Sequence, residues 1–253
     1  MIPKIIHYCW LSNDPIPDDL QEYMNTWKEQ LPEYQLILWD FQRFDISTSI
    51  WVKEAFESKK YAFAADYIRL YALYNYGGIY LDMDVEVIKP FDDFLRLNSM
   101  LCYENSNDGR LEVAAFGVEK HSPWVGDCLN YYKDKHFINE DGSFNSKVLP
   151  LVIKELLTEK KYQLKNVVSI ESAINEYERF IPVFPFDYFS PKSYKTQKID
   201  RTLNTYCIHH FAGSWIPKEQ KYEKKIWKAL GMKPHRFMWH IDNWLKKFFK
   251  IIR

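Results

Sequence analysis

The stretch Gly77-Gly78-Ile79-Tyr80-Leu81-Asp82-Met83-Asp84-Val85-Glu86-Val87 alternates acidic and apolar residues with period two. On an extended strand, residues two apart share a face, so Asp82, Asp84 and Glu86 point one way and Met83, Val85 and Val87 the other. Like charges stacked in this way repel unless a cation sits among them. A hard divalent ion such as Mn2+ or Mg2+ prefers oxygen ligands and removes that repulsion. The pattern predicts a metal site at the end of a buried strand, with Asp82, Asp84 and Glu86 as its candidate ligands.

The element before it must carry the rest of a polar site. Ala62 to Tyr76 reads as a helix that is apolar nearly all round, and so buried. It nevertheless holds Asp66 and Arg69, three apart on one face, along a strip with Ala62, Ala65 and Ala72. Small residues beside a charge pair leave clearance for a polar ligand, whereas a bare intrahelical ion pair at a surface needs none. Gly77 caps this helix and Gly78 turns the chain into the acidic strand.

Upstream, Ile5 to Tyr8 reads as a strand, Asp18 to Gln30 as a helix and Tyr34 to Trp39 as a second strand. This order begins a parallel α/β sheet. A short helix follows at Trp51 to Glu57. Ser99 to Tyr103, Val113 to Val118 and Tyr206 to His209 read as further strands, with helices at Pro123 to Tyr132 and Lys147 to Leu157. Ile181 to Tyr194, rich in Pro and aromatics, reads as irregular. Ligands of such sheets bind beyond the carboxyl ends of the strands, where Trp10, Asp82, Asp84 and the pair His209-His210 fall.

The 253 residues hold 47% hydrophobic and 17% aromatic residues, enough for a sizeable core, and 34 basic against 34 acidic side chains, a balance that gives no sign of a nucleic-acid partner. Charge is uneven: from Ile216 to Arg253 there are 11 Lys or Arg and 3 Asp or Glu. Within residues 237–253, Ile241, Trp244, Leu245, Phe248, Phe249 and Ile252 share one helical side. A membrane surface and the chain's own domain fit that basic amphipathic pattern equally. The four scattered cysteines read as free thiols of a reducing compartment. With no leader-like start and no long apolar run, the expectation is a cytoplasmic chain, peripheral at the inner face of the plasma membrane if the tail binds lipid.

Ile2-Pro3-Lys4-Ile5-Ile6-His7 with Trp10, then Trp39, then Ala65-Asp66-Tyr67-Ile68-Arg69 running into Tyr76-Gly77-Gly78-Ile79-Tyr80-Leu81-Asp82-Met83-Asp84, and finally His209-His210 with Gly213-Ser214-Trp215, resemble the DXD-containing sugar transferases of glycosyltransferase family 32. That family includes bacterial capsular and lipopolysaccharide sugar transferases and yeast-type initiating mannosyltransferases. The resemblance implies a GT-A type, Rossmann-like α/β fold with a mixed, mainly parallel sheet. Residues 1–217 would form the catalytic domain and 218–253 a basic helical extension. It also implies Mn2+ or Mg2+, a nucleotide-sugar donor (UDP-sugar favoured, GDP-sugar open) and retaining transfer of a hexose to a glycan acceptor. That acceptor would be lipid-linked if the tail meets a membrane, and the setting bacterial surface polysaccharide or lipopolysaccharide synthesis.

Carried over by motif, Trp10 stacks on the nucleobase, and Asp66 and Arg69 hold donor sugar hydroxyls. Asp82 bridges ribose or sugar and metal-bound water, and Asp84 is the main metal ligand. One of the two late histidines, with His210 preferred over His209, completes the metal shell, which leaves Glu86, further from the ligand end, in a supporting role. Gly213, Ser214 and Trp215 approach the diphosphate. His7 and Tyr80, within the matching motifs, count among the donor-binding residues. Ala65 departs from the family, where Ser often precedes the Asp. No second carboxylate is evident as nucleophile: Glu104 and Asp108 qualify by position alone, and front-face attack by the acceptor is the family's implication. Two other classes compete. A haloacid-dehalogenase-like phosphatase or phosphotransferase would need its acidic motif on the first strand, and a non-catalytic carbohydrate-binding protein would show a broken DxD or a lost Arg.

Overall fold

The computed structural model describes residues 1–105, 109–174 and 180–213. The chain divides into Met1–Ala212 and Gly213–Arg253. The expected helix at 237–253, the boundary at 217/218, and Asp108, Ser214 and Trp215 lie outside the described residues or beside them.

Among the described residues the strands are β1 (Ile5–Cys9), β2 (Gln35–Trp39), β3 (Gly78–Leu81), β4 (Val85–Val87), β5 (Ser99–Cys102), β6 (Ala115–Val118), β7 (Leu164–Asn166), β8 (Ile181–Phe184) and β9 (Cys207–His209). The helices are α1 (Asp18–Gln30), α2 (Ile50–Glu57), α3 (Tyr61–Tyr76), α4 (Pro123–Tyr132), α5 (Leu149–Glu159) and α6 (Ile170–Ile174). Seven strands form one sheet in the order β2-β1-β3-β6-β5-β8-β7, and β4 and β9 form a separate two-stranded sheet. In the large sheet only β6 runs against its neighbours β3 and β5, while β1 with β2, β1 with β3, β5 with β8 and β7 with β8 pair in parallel. The expected mixed, mainly parallel α/β sheet is what the chain forms.

Strand alternation splits the core between the two faces. Tyr80, Leu101, Phe116, Val118 and Val183 face a layer built from α2, α3, α4 and α5. Ile6, Ile79, Leu81, Met100 and Cys102 face Trp27 and Leu31 of the α1 segment together with Phe91, Phe94, Phe184 and Tyr206. Helix α3 is the central brace, with Ile68, Leu70, Ala72 and Leu73 fully buried.

One correction concerns the acidic stretch. It is not a continuous strand: β3 ends at Leu81, Asp82 to Asp84 form a turn closed by Val85 N–H donating to Asp82 C=O at 3.0 Å, and β4 resumes in the second sheet. The apolar half of the alternation survives, since Met83, Val85 and Val87 are all buried. The turn places the two aspartates between the two sheets' strands in sequence, and β4 beyond it pairs with β9 from the far end of the described chain. Residues 181–194, expected to be irregular, include strand β8, which is buried along its whole length.

Candidate active site

Helix α3 delivers its charged pair and then stops abruptly. Gly77 N–H donates to Leu73 C=O at 2.8 Å, and Gly77 and Gly78 adopt φ of 67° and 107°. Both values favour glycine, and there is no room for anything larger: a Cβ on Gly78 would lie 2.6 Å from the Ile5 carbonyl oxygen. The fully buried His7 locks this turn. Its Nε2–H donates to Gly77 C=O at 2.8 Å, while its Nδ1 accepts from Trp39 Nε1–H at 3.0 Å. Burial lowers its pKa to about 4, so it is neutral with the proton on Nε2. The expected donor-binding role for His7 is corrected: both ring nitrogens are spent inside the fold.

From the end of β3 the site opens. Arg69 lies within 3.3 Å of Asp66 and of Asp82, and it donates to Val113 C=O at 2.8 Å. Its guanidinium also sits over the Tyr80 ring, 4.5 Å from the centroid. Tyr80 O–H donates to Asp82 Oδ1 at 2.9 Å. Tyr80 itself is 1% exposed, so it too is corrected from a donor contact to a brace for Asp82. Strand parity explains this, because Tyr80 points to the α3 layer while its neighbours Ile79 and Leu81 point away. Burial raises Asp66 to about 7, against the pull of Arg69. Burial also raises Asp82, with Arg69 opposing and Asp84 adding repulsion.

Asp84 has a different environment. Burial works against its charge, but the His209 contact and the Ala212 N–H, which donates at 2.7 Å, hold it below the usual carboxylate range. Nε2 of His209 is 3.6 Å from Asp84 Oδ2, and its Nδ1 is 3.1 Å from Glu112 Oε2. Against burial, the two carboxylates push the imidazole well above its ordinary pKa. One ligand atom from each of Asp82, Asp84 and His209 falls in a group whose members all lie within 4.8 Å of one another.

His210, expected as the third ligand, is elsewhere. Its Nε2–H donates to Glu86 at 2.8 Å, its ring stacks on Tyr23 with centroids 4.4 Å apart, and its backbone N–H donates to Asp84 C=O. β9 pairs antiparallel with β4, with His209 opposite Val85. Adjacent side chains on an extended segment point to opposite sides, so only one of the two histidines can face the aspartates. Glu86 serves His210, in the supporting role expected for it.

Trp10 follows β1 directly. Because His7 pairs with Tyr80 in parallel register, Trp10 leaves the sheet at the same end as Asp82. Its indole N–H donates to Asp14 C=O at 2.8 Å, and its ring is half-buried. Gly213 has φ of 57°. Glu104 pairs with Arg110 at 3.7 Å. Sequence reasoning missed Glu112, 2% exposed beside β6. A lone acid between Leu111 and Val113, just ahead of a buried strand, is the signal that marks it.

The strand ends of this α/β sheet thus bring together Asp82, Asp84 and His209, whose ligand atoms could hold a metal ion, beside the buried Asp66–Arg69 pair. The family described as glycosyltransferase sugar-binding region containing DXD motif matches residues 17–105, which include Asp66, Arg69, Asp82 and Asp84. Residues 17–105 are thus similar to the sugar-binding region of the DXD glycosyltransferases, and an assignment to family 32 fits that similarity. It is 35% identical over 98 residues to inositol phosphoceramide mannosyltransferase 3 of Schizosaccharomyces pombe, covering 37% of this chain and 27% of that protein. It is 34% identical over 115 residues to a mannosyl phosphorylinositol ceramide synthase of Saccharomyces cerevisiae, covering 42% and 30%. An uncharacterized glycosyltransferase of Acanthamoeba polyphaga mimivirus is 35% identical over 107 residues, covering 38% and 41%. The chain therefore spans well under half the length of these relatives. Among solved structures, PaToxG glycosyltransferase is similar with a TM-score of 0.47 and 18% identity, covering 63% of this chain and 69% of that one.

Proposed function

We propose that the chain transfers a hexose from a nucleoside diphosphate sugar to a glycan or glycolipid acceptor, using a divalent cation held by Asp82, Asp84 and His209. The observation that carries this reading is the convergence of those three ligand atoms next to the Asp66–Arg69–Asp82 cluster. Two carboxylate oxygens and one imidazole nitrogen suit Mn2+ somewhat better than Mg2+, which favours an all-oxygen shell. When bound, such a cation supplies Lewis-acid stabilisation of the charge on the departing diphosphate.

The remaining work falls to the chain's own groups. Arg69 is fixed by Asp66, Asp82, Val113 and the Tyr80 ring, so it presents a preorganised cationic edge to sugar hydroxyls. Asp66 accepts hydrogen bonds from those hydroxyls. Trp10, at the same sheet end, offers its ring to the base, and the family motif assigns Gly213, Ser214 and Trp215 to the diphosphate. Among the described residues the carboxylates around the site are engaged by Arg69, Tyr80, His209 or His210. That supports retaining transfer by front-face attack without a protein nucleophile.

The names of the fungal relatives shift the reading away from a bacterial surface polysaccharide and towards mannose transfer onto an inositol-phosphate lipid. A lipid-borne acceptor and a site on the cytoplasmic face of a membrane belong to the same proposal, supported by the four free cysteines. No helix among the described residues is long and apolar enough to cross a membrane. The test is a panel of UDP- and GDP-sugars assayed for hydrolysis and transfer with Mn2+, with Mg2+ and with chelator. Cation-dependent turnover of one donor supports the reading. Phosphatase activity on simple phosphate esters, with no turnover of any nucleotide sugar, would replace it with the phosphotransferase alternative.

A further inference from the structure

Glu112 takes no part in the site as read from sequence, yet among the described residues it is one of the most deeply buried acids. It is 2% exposed, and both carboxylate oxygens are committed. Oε1 accepts from Ala114 N–H at 2.8 Å, and Oε2 accepts from His209 Nδ1–H at 3.1 Å. The Ala114 contact is itself part of the site, because Ala114 C=O accepts from Asp82 N–H at 2.7 Å. One side chain therefore spans the strand that orders Asp82 and the imidazole that faces Asp84.

Burying a carboxylate costs several kcal/mol unless it is well paired, and a hydroxyl or amide side chain would satisfy the Ala114 N–H more cheaply. What only a carboxylate provides here is an obligate acceptor for Nδ1–H. That fixes the ring so that Nε2, the nitrogen turned towards Asp84, is the one that can exchange its proton for a cation while Nδ1 keeps its own. We infer that Glu112 is the positioning residue of this site, holding His209 in the tautomer and orientation that allow Nε2 to ligate a divalent cation, an inference that rests on the metal reading above. Outer carboxylates of this kind orient ligating histidines, and their loss weakens metal binding by about 10–100-fold.

Glu112→Gln tests this with almost no change in shape. If the new amide oxygen stays on Ala114 N–H, its NH2 faces Nδ1 and drives the imidazole proton to Nε2, where it blocks ligation. If the amide flips, two N–H groups confront each other at Ala114. Mn2+ titration of the full chain without nucleotide, followed by electron paramagnetic resonance of the free ion, reads the affinity directly. Glu112→Gln is expected to weaken Mn2+ binding about 10–100-fold, and to add nothing further in a His209→Ala background. An unchanged Mn2+ affinity in Glu112→Gln, or full additivity with His209→Ala, overturns the inference while leaving the metal reading intact. Wild-type Mn2+ binding that Asp84→Asn does not reduce overturns both.

Should Glu112→Gln not fold, 15N spectra of the histidines in the wild-type chain decide instead, with diamagnetic Cd2+ in place of Mn2+. His209 is expected to keep its proton on Nδ1 and to shift at Nε2 on adding the ion. A metal-bound Nδ1, or a His209 that does not respond, contradicts the inference.

Discussion

His7→Ala separates a brace from a donor contact. The substitution leaves Trp39 Nε1–H and Gly77 C=O without their buried partner. Each unsatisfied group costs about 1–3 kcal/mol, so the loss at pH 7 is roughly 2–6 kcal/mol. The pH dependence adds a second signature. In the wild type, burial takes His7 from its ordinary 6.5 to about 4. The unfolded chain therefore binds a proton in a range where the folded chain does not, and the His7 contribution, complete above the unfolded value, is lost as pH falls towards the folded one. From those two values the wild type gives up about 2 kcal/mol by pH 5 and about 3 kcal/mol by pH 4. The alanine variant lacks this titration, so its deficit narrows as pH falls. Urea denaturation of both proteins from pH 7 to pH 5 measures it, alongside Mn2+-dependent nucleotide binding at low temperature where both are folded. A deficit that stays constant or widens on acidification would refute the reasoning. So would a variant of wild-type stability that binds nucleotide poorly, since His7 would then be a ligand contact after all.

Other expectations follow from the same geometry. Asp66→Asn removes a buried acid whose pKa is raised to about 7; stability is lost in the wild type as pH rises from the unfolded value through 7, so the variant should gain up to about 4 kcal/mol over wild type above that pH and nothing below about 4, while sugar-donor turnover falls. Thermal melts across pH check the stability half. Gly78→Ala forces a Cβ against the Ile5 carbonyl at 2.6 Å with φ at 107°; it should cost at least about 2 kcal/mol and lower the urea midpoint. His209→Ala should weaken Mn2+ binding by about tenfold or more, whereas His210→Ala should leave it nearly unchanged, as read by calorimetric Mn2+ titration.

How far these features could be seen in the sequence depended on how local their causes are. Helix α1, the α3–Gly77–Gly78 junction and the first two strands rest on periodicity and capping within a few residues, and they stand where those signals place them. The break between β3 and β4 could not be seen that way. A turn at Asp82–Asp84 preserves the inward alternation of Met83, Val85 and Val87, and what splits the strand is the pairing of β4 with β9, more than a hundred residues on. The same distance hides which histidine faces the aspartates, because two adjacent histidines carry no parity until a partner strand sets the register. Tyr80 and His7 fell among the motif residues, but only their burial and their bonds to Asp82, Trp39 and Gly77 show them to be braces. Strand β7, three exposed residues at a sheet edge, and the single-turn helix α6 carry too little pattern of their own to be read.

The account turns on a cation held between the Asp82–Asp84 turn and His209 as the seat of a donor diphosphate. Equilibrium binding of UDP and GDP to the wild-type chain and to Asp84→Asn, each with Mn2+ and with chelator, addresses it most directly. Binding by the wild type that requires Mn2+, and that Asp84→Asn weakens by about 100-fold or more, is the predicted result. Nucleotide binding that ignores Mn2+, or that survives Asp84→Asn unchanged, would contradict it.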